Sequence, residues 1–163
     1  MRTEFKYAAI LTALLFLWLC LEFWIGFHDR YVNYLPLTTL LTGLVWGVGL
    51  YLEIREKESA HRARVWNYGR RFRTAFLTTI LTLPMLLVSR WIFYDWVNPE
   101  FFNTLLTKGR EWTSAGNGFE GSMKMMEDYF EMKAYQTSNL VFSFLNGLVF
   151  SLVVPLFFPK KRY

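Results

Sequence analysis

Two ionisable residues lie within stretches of this chain that are otherwise apolar and almost free of charge. Glu22 lies in a run that covers residues 7–27, and Arg90 lies in a run that covers residues 74–97. A charged side chain inside a membrane-spanning helix is costly, so it indicates a functional site with a polar partner. Such a pair could transfer a proton or a substrate. It could also form an ion pair that joins two helices.

Glu22 and Arg90 lie at matching depths in their runs. Glu22 precedes Phe27 by five residues, and Arg90 precedes Asp95 by five. Since an α-helix rises about 1.5 Å per residue, both side chains are expected roughly 8 Å below the same membrane boundary. We therefore predict an intramembrane ion pair between Glu22 and Arg90, with Tyr94 one turn above Arg90. Three roles stay open for these residues. The pair could join the two helices or relay a proton or substrate, or Arg90 could extend to the membrane interface independently of Glu22.

Four apolar stretches are long enough to cross the hydrocarbon core of a bilayer, which takes about 20 helical residues. The composition agrees, because 53% of the 163 residues are apolar, 20% are aromatic and only 19% are charged. We predict an all-α, polytopic membrane fold that forms a single domain over residues 1–163. The predicted spans cover residues 7–27, 31–52, 74–97 and 136–158.

The basic residues predict how these spans are oriented. Twelve of the 18 lysines and arginines lie in residues 2–6, 55–73 and 160–162, and short basic segments stay in the cytoplasm. Both termini are therefore predicted to be cytoplasmic, and residues 98–135 are predicted to form an outer segment. The same bias accounts for the net charge of +5, so no nucleic-acid partner is implied.

The outer segment has the pattern of two short amphipathic helices. Residues 98–100 are typical of a helix start, and an apolar face follows from Phe101. Glycines within residues 116–121 predict a break, after which a Met-rich apolar stripe covers residues 123–130. We expect these helices to lie on the membrane surface or to cap the bundle, and a docking surface for a partner protein is the alternative.

Small residues recur at intervals of four on the second and fourth spans, a spacing that lets helix backbones approach closely. We expect the two spans to pack on each other, or one of them to dimerise through its stripe. A proline in the middle of the third span, Pro84, predicts a kink. The small residues are Gly43 and Gly47 on the second span and Ser143, Gly147 and Ser151 on the fourth, with Asn146 beside them as a hydrogen-bonding group.

The sequence contains none of the common motifs of enzymes or metal sites. Its one cysteine, Cys20, excludes an internal disulfide, and His28 and His61 are predicted on opposite sides of the membrane. No phosphate-binding loop, dinucleotide-binding glycine motif or nucleophile elbow is present. We therefore expect a protein that is not an enzyme, with no catalytic residue, no cofactor and no metal site.

Together these features resemble a bacterial membrane family known as domain of unknown function 4199. The shared features are Glu22 near the outer end of the first span, Tyr68-Gly69 before an aromatic start of the third, and Asn98-Pro99-Glu100-Phe101 after it. A Met- and Glu-rich stretch at residues 123–133 and the final Pro159-Lys160-Lys161 extend the likeness over nearly the whole chain. The resemblance implies a four-helix protein of the bacterial inner membrane and supplies no catalytic residues.

Two functions are compatible with these features, and both place the chain in a lipid bilayer. The first is a non-enzymatic accessory or scaffold protein that packs its helices against other membrane proteins or a second copy of itself. The second is a small oligomeric transporter or channel, in which Glu22 and Arg90 would face a wet cavity instead of each other. A third hypothesis, a lipid-modifying enzyme, requires more polar residues at the level of the headgroups.

Overall fold

The computed structural model describes residues 2–28, 30–31, 35–61, 65–112 and 132–159. All regular secondary structure within these ranges is helical, which confirms the predicted all-α fold class for this part of the chain. Five α-helices follow one another. They are α1 (Arg2–Ile25), α2 (Leu35–Ala60), α3 (Tyr68–Ile92), α4 (Phe101–Trp112) and α5 (Met132–Val153).

Two of the helices continue in turns of a different type. A π-helical turn over Phe93–Val97 extends α3, and a 3-10 turn over Val154–Phe157 extends α5. With these extensions, α1, α3 and α5 are each long and apolar enough to cross a membrane. The structure thus confirms three of the predicted spans as apolar helices of membrane-crossing length.

Several helices run further than the spans predicted from the charges. α1 begins at Arg2, before the predicted span that starts at residue 7, and α2 continues beyond the predicted span end at residue 52 to Ala60. The physical reason is that the charged residues in these extra turns are paired with each other. Glu4 of α1 and Lys57 of α2 form an ion pair and are both largely withdrawn from solvent.

α3 is the helix around which the others are arranged. It packs against α1 on one side and α5 on another, while α2 packs against both α1 and α5. An apolar layer lies between these helices at mid-length and excludes solvent almost completely. This layer consists of Leu11, Trp46, Leu50 and Leu86, each no more than 1% exposed.

The two glycines of α2 lie against α5. A Cβ atom at Gly43 or Gly47 would lie 3.2 Å or 3.1 Å from the Phe150 ring, closer than ordinary van der Waals contact. Asn146 lies nearby, but its amide nitrogen donates to the Phe142 carbonyl oxygen within its own helix. The glycines therefore let a phenylalanine of α5 lie directly on the α2 backbone.

The small residues of α5 face α3 instead of α2. Ser143, Gly147 and Ser151 are buried, and the hydroxyl oxygens of Ser151 and Thr79 are 3.2 Å apart. A Cβ atom at Gly147 would lie 2.3 Å from the Thr79 methyl carbon, so the two helices touch at this point. The small residues of α5 are therefore used for packing against α3 of the same chain.

The remaining fold predictions have different outcomes. Pro84 lies inside α3, which stays α-helical on both sides of it. α4 begins at Phe101, directly after the residues 98–100 that predict a helix start. The predicted glycine break and the Met-rich second helix lie in residues 113–131, outside the described residues.

Replacement of Gly147 tests the contact between α3 and α5. Gly147→Ala is expected to destabilise the protein by about 2 kcal/mol, because the new methyl group overlaps the rigid Thr79 side chain. Gly69→Ala is the matched control, since a Cβ atom there meets only the Asn67 amide oxygen at 3.9 Å. Thermal unfolding in detergent measures both variants. Equal melting temperatures for the two variants would contradict this packing.

Candidate functional site

A tight turn at the end of α1 places His28 next to Glu22. Gly26 has a φ of +93°, its N–H donates to the Phe23 carbonyl oxygen, and the Phe27 N–H donates to the Glu22 carbonyl oxygen. These two bonds form a Schellman motif, which ends a helix and favours glycine at the positive φ. His28 therefore lies buried beside the side chain of Glu22.

The Glu22 carboxylate is held by two aromatic side chains. Trp18 Nε1 donates to one carboxylate oxygen over 2.6 Å, and His28 Nε2 lies 3.7 Å from the other. On its far side, His28 Nδ1 lies 3.3 Å from the Asn98 amide nitrogen. This contact is a hydrogen bond when Nδ1 is the acceptor, and an Nε2 proton then faces Glu22.

The π-helical turn after α3 positions Asn98. The Asn98 N–H closes this turn by donating to the Phe93 carbonyl oxygen over 2.8 Å, and the Asn98 carbonyl oxygen accepts from the Phe101 N–H at the start of α4. The side chain is buried and is thereby directed to His28. π-helical turns are frequent at functional sites. Residues 98–101 thus couple the end of α3, the start of α4 and the Glu22 site.

Arg90 approaches the same site from α3. Its Nη2 atom donates to the Ser143 hydroxyl oxygen over 3.1 Å, and Ser143 in turn donates to the Asn139 carbonyl oxygen. The other terminal nitrogen, Nη1, is buried and has no hydrogen-bond partner. A buried donor without a partner costs free energy, so this nitrogen adds to the cost of burying the Arg90 side chain.

Glu22 and Arg90 face one cavity and do not touch. The cavity, here called the Arg90 cavity, has a volume of about 60 Å³, which is enough for a few water molecules. The described residues show no Glu22–Arg90 ion pair within 4.0 Å, so the predicted direct contact is not formed. Glu22 accepts instead from Trp18, and Arg90 donates to Ser143. The other polar lining residues include His28, Tyr94, Tyr135, Asn139 and Asn146.

Aromatic rings close the cavity at this end of the bundle. The Tyr94 and Phe101 ring centroids are 4.9 Å apart, and His28 is equally close to Phe101. Phe93 and Phe101 are almost fully buried. The first turn of α4 therefore packs against the residues at this end of the cavity.

A second polar cluster, here called the charged end, lies at the opposite end of the bundle. Ion pairs connect α1 with α2 and α2 with α3, and Arg71 also donates to the carbonyl oxygens of Phe158 and Pro159 after α5. Four segments of the chain are thus joined by charge-assisted hydrogen bonds. The pairs are Glu4–Lys57, Lys6–Glu56 at 2.7 Å and Arg71–Glu58 at 2.6 Å.

Glu53 lies between the charged end and the apolar layer. Its side chain is fully buried, one carboxylate oxygen accepts from the Thr78 hydroxyl over 2.5 Å, and the other has no hydrogen-bond partner. Thr78, Thr79 and Thr82 are also fully buried. Hydroxyl groups therefore extend from Glu53 along α3 towards the apolar layer.

Sequence reasoning identified Glu22 and Arg90 but missed several of their neighbours. Trp18 lies four residues before Glu22 on one helix face, a spacing that could have indicated the contact. Gly26 just after the predicted span could have indicated the turn that returns His28 to the bundle. No comparable signal marks the π-helical turn that directs Asn98 to His28.

The helices and the cavity define a class: small all-helical proteins with apolar helices of membrane-crossing length and a buried polar site at one end of the bundle. The chain belongs to the family described as "Protein of unknown function (DUF4199)", whose profile matches residues 6–160. The family resemblance predicted from the sequence is therefore confirmed. No curated protein and no solved structure matches the chain.

Loss of the Glu22 charge tests the electrostatics of the Arg90 cavity. Glu22→Gln is expected to lower the free energy of unfolding by about 2 kcal/mol, because Arg90 then lacks a negative group in its cavity. The measurement is unfolding in detergent at pH 8, without small anions that could pair with Arg90. Glu100→Gln is the control, since Glu100 is exposed and its carboxylate accepts from the neighbouring Asn103 amide. Indistinguishable stabilities would show that Arg90 does not need Glu22.

Proposed function

We propose that this chain is a multi-pass protein of a bacterial inner membrane that crosses the bilayer four times, with α2 as the fourth span. Both termini and the charged end face the cytoplasm, and the Arg90 cavity and α4 face the periplasm. The proposal is supported by the contacts between segments 2–6, 55–73 and 158–159, since all three meet at one end of the bundle. Two of these segments are rich in basic residues, as cytoplasmic segments are.

Site-directed cysteine labelling tests this orientation. In a Cys20→Ser background, Asn103→Cys should react with a membrane-impermeant maleimide in intact spheroplasts, whereas Ser59→Cys should react only after lysis. Both positions are exposed, and they lie at opposite ends of the bundle. The Cys20→Ser parent is the unlabelled control. Labelling of Ser59→Cys in intact spheroplasts would contradict the proposed orientation.

Within that topology, we propose that the protein is a small transporter or channel that moves protons or small ions through the centre of its bundle. One observation carries the proposal: Glu22 and Arg90 face a shared polar cavity instead of neutralising each other by contact. Ionisable residues that face a water-filled cavity inside a membrane protein mark ion pathways and proton relays. A clip between two helices would instead bury the two charges against each other.

The distribution of polar groups supports the same function. Glu53 and the threonines of α3 extend from the charged end, and the Arg90 cavity extends from the other end. The apolar layer around Trp46 and Leu86 separates them, as a closed gate would. Pro84 lies on α3 between Thr82 and Leu86, and a proline removes one backbone hydrogen bond at the position where such a gate must yield.

The scaffold function remains a second proposal, with fewer structural features in its favour. It requires helix faces that are free to bind a partner membrane protein or a second copy. The small residues expected to form such faces, Gly43, Gly47 and Gly147, lie against Phe150 and Thr79 of the same chain. Purification in mild detergent with mass spectrometry distinguishes the two proposals, because a scaffold would retain a foreign partner in stoichiometric amounts.

Proton movement in liposomes tests the transport function. Purified protein is reconstituted with an enclosed pH-sensitive dye, and a pH gradient is imposed. We expect the dye signal to change faster than in empty liposomes, and Glu22→Gln and Glu53→Gln to reduce the rate to that of empty liposomes, because each removes a buried proton acceptor. Glu100→Gln should retain the wild-type rate. If the wild type behaves as empty liposomes do, the transport proposal is rejected.

A further inference from the structure

A pocket with basic walls opens at the charged end of the bundle, between the start of α1, the end of α2 and the start of α3. This basic pocket has a volume of about 360 Å³, and Arg70 and Arg73 lie at its exposed rim. Lys57 lines it from a less exposed position, and Glu4 contributes a carboxylate. Basic side chains therefore outnumber acidic ones in the described lining of the pocket.

Two positive charges of the basic pocket have no counter-ion among the described residues. The Glu4 carboxylate is paired with Lys57, so its charge is already compensated. Arg70 Nη1 donates to the Val65 carbonyl oxygen over 2.5 Å, which is an uncharged acceptor. Arg73 is exposed and forms no ion pair or hydrogen bond within the part of the chain that the structure describes. Electrostatic attraction therefore favours an anion at this rim.

An apolar groove lies between α1 and α3, the two helices that also line the basic pocket. Glu4 of α1 and Thr74 of α3 both contact Lys57 at the charged end. The ring centroids of Phe23 and Phe93 are 6.1 Å apart at the other end, so α1 and α3 run in the same direction. The groove, here called the α1–α3 groove, has a volume of about 380 Å³. It is lined by Ala9, Thr12, Ala13 and Phe16 of α1 and by side chains within residues 85–92 of α3.

The basic pocket and the α1–α3 groove follow one another along α3. Arg70, Leu77 and Pro84 recur at intervals of seven residues, so they lie on one face of the helix. Leu77 lines the basic pocket, and Pro84 borders the same apolar surface as Met85. The helix rises about 18 Å from Arg73 to Met85, which is close to the depth of about 15 Å of half a hydrocarbon core. Pocket and groove are therefore spaced as the headgroup and the acyl chain of one lipid are.

We propose that the basic pocket binds the phosphate group of one anionic phospholipid, whose acyl chain lies in the α1–α3 groove. The phosphate supplies the negative charge that Arg70 and Arg73 lack, and guanidinium groups match the geometry of its oxygen atoms. A soluble phosphate compound would use the pocket but leave the groove empty, so the groove favours a lipid. The inference rests on the proposed membrane crossing, but it does not depend on transport or on the side of the membrane that the charged end faces.

Native mass spectrometry of the full-length protein in mild detergent is the test. Phosphatidylglycerol and phosphatidylcholine with identical acyl chains are added in turn to protein from which the native lipid has been removed. Both lipids contain a phosphate, but the choline group would place a cation beside the arginines of the rim. We therefore expect a single phosphatidylglycerol molecule per protein, bound about tenfold more tightly than phosphatidylcholine.

Two pairs of variants separate the pocket and the groove from general attraction to the protein surface. Arg73→Gln should weaken phosphatidylglycerol binding about fivefold. Arg55→Gln is its matched control and should leave binding unchanged, because Arg55 is exposed near the same end of the bundle but does not line the pocket. Ala9→Phe should weaken binding by filling the groove, whereas Leu14→Phe, at an exposed position of α1 outside the groove, should not. An excess of glycerol 3-phosphate, a phosphate ester without acyl chains, should not displace the lipid.

Several results would overturn the inference. Equal binding of the two lipids, or equal weakening by Arg73→Gln and Arg55→Gln, would show diffuse attraction without a site. Displacement by glycerol 3-phosphate, or unchanged binding by Ala9→Phe, would show that the pocket takes a soluble phosphate compound without the groove. The proposed function fails separately. Recovery of the protein in the soluble fraction without detergent would reject the membrane crossing and with it the lipid site, whereas selective lipid binding without proton movement in liposomes would reject transport alone.

Discussion

Arg90 places a permanent positive charge inside a bundle of apolar helices, and the groups around it are arranged to compensate for that charge. Because a guanidinium group does not lose its proton in proteins, it needs acceptors and negative charge in its surroundings. Ser143 supplies one acceptor, and Glu22 supplies the charge across the cavity. The other terminal nitrogen is buried without a hydrogen-bond partner, which adds to the free-energy cost of this charge.

The bundle keeps its polar groups at its two ends and an apolar layer between them. At the charged end, ion pairs such as Glu4–Lys57 join helices that lie far apart in the sequence. At the other end, the Gly26 turn and the π-helical turn bring His28 and Asn98 over Glu22.

The sequence predicts the helical class and three of the membrane-length helices, because hydropathy alone determines them. It also indicates that Glu22 and Arg90 belong to one site, since their depths in the helices agree. The sequence does not predict that the Glu22 carboxylate and the Arg90 guanidinium group are not in contact. That separation depends on Trp18 and Ser143, whose bonds follow from helix rotation and packing. The burial of Glu53 is not predictable either, because this residue begins the charged part of the second helix, where a side chain is expected to be solvated.

The most direct test of this account is a crystal structure of the protein at high resolution. The account predicts that Glu22 and Arg90 line one polar cavity without contact, with Trp18 Nε1 donating to Glu22 and Arg90 Nη2 donating to Ser143. A direct bond between the Glu22 carboxylate and the Arg90 guanidinium group would contradict it.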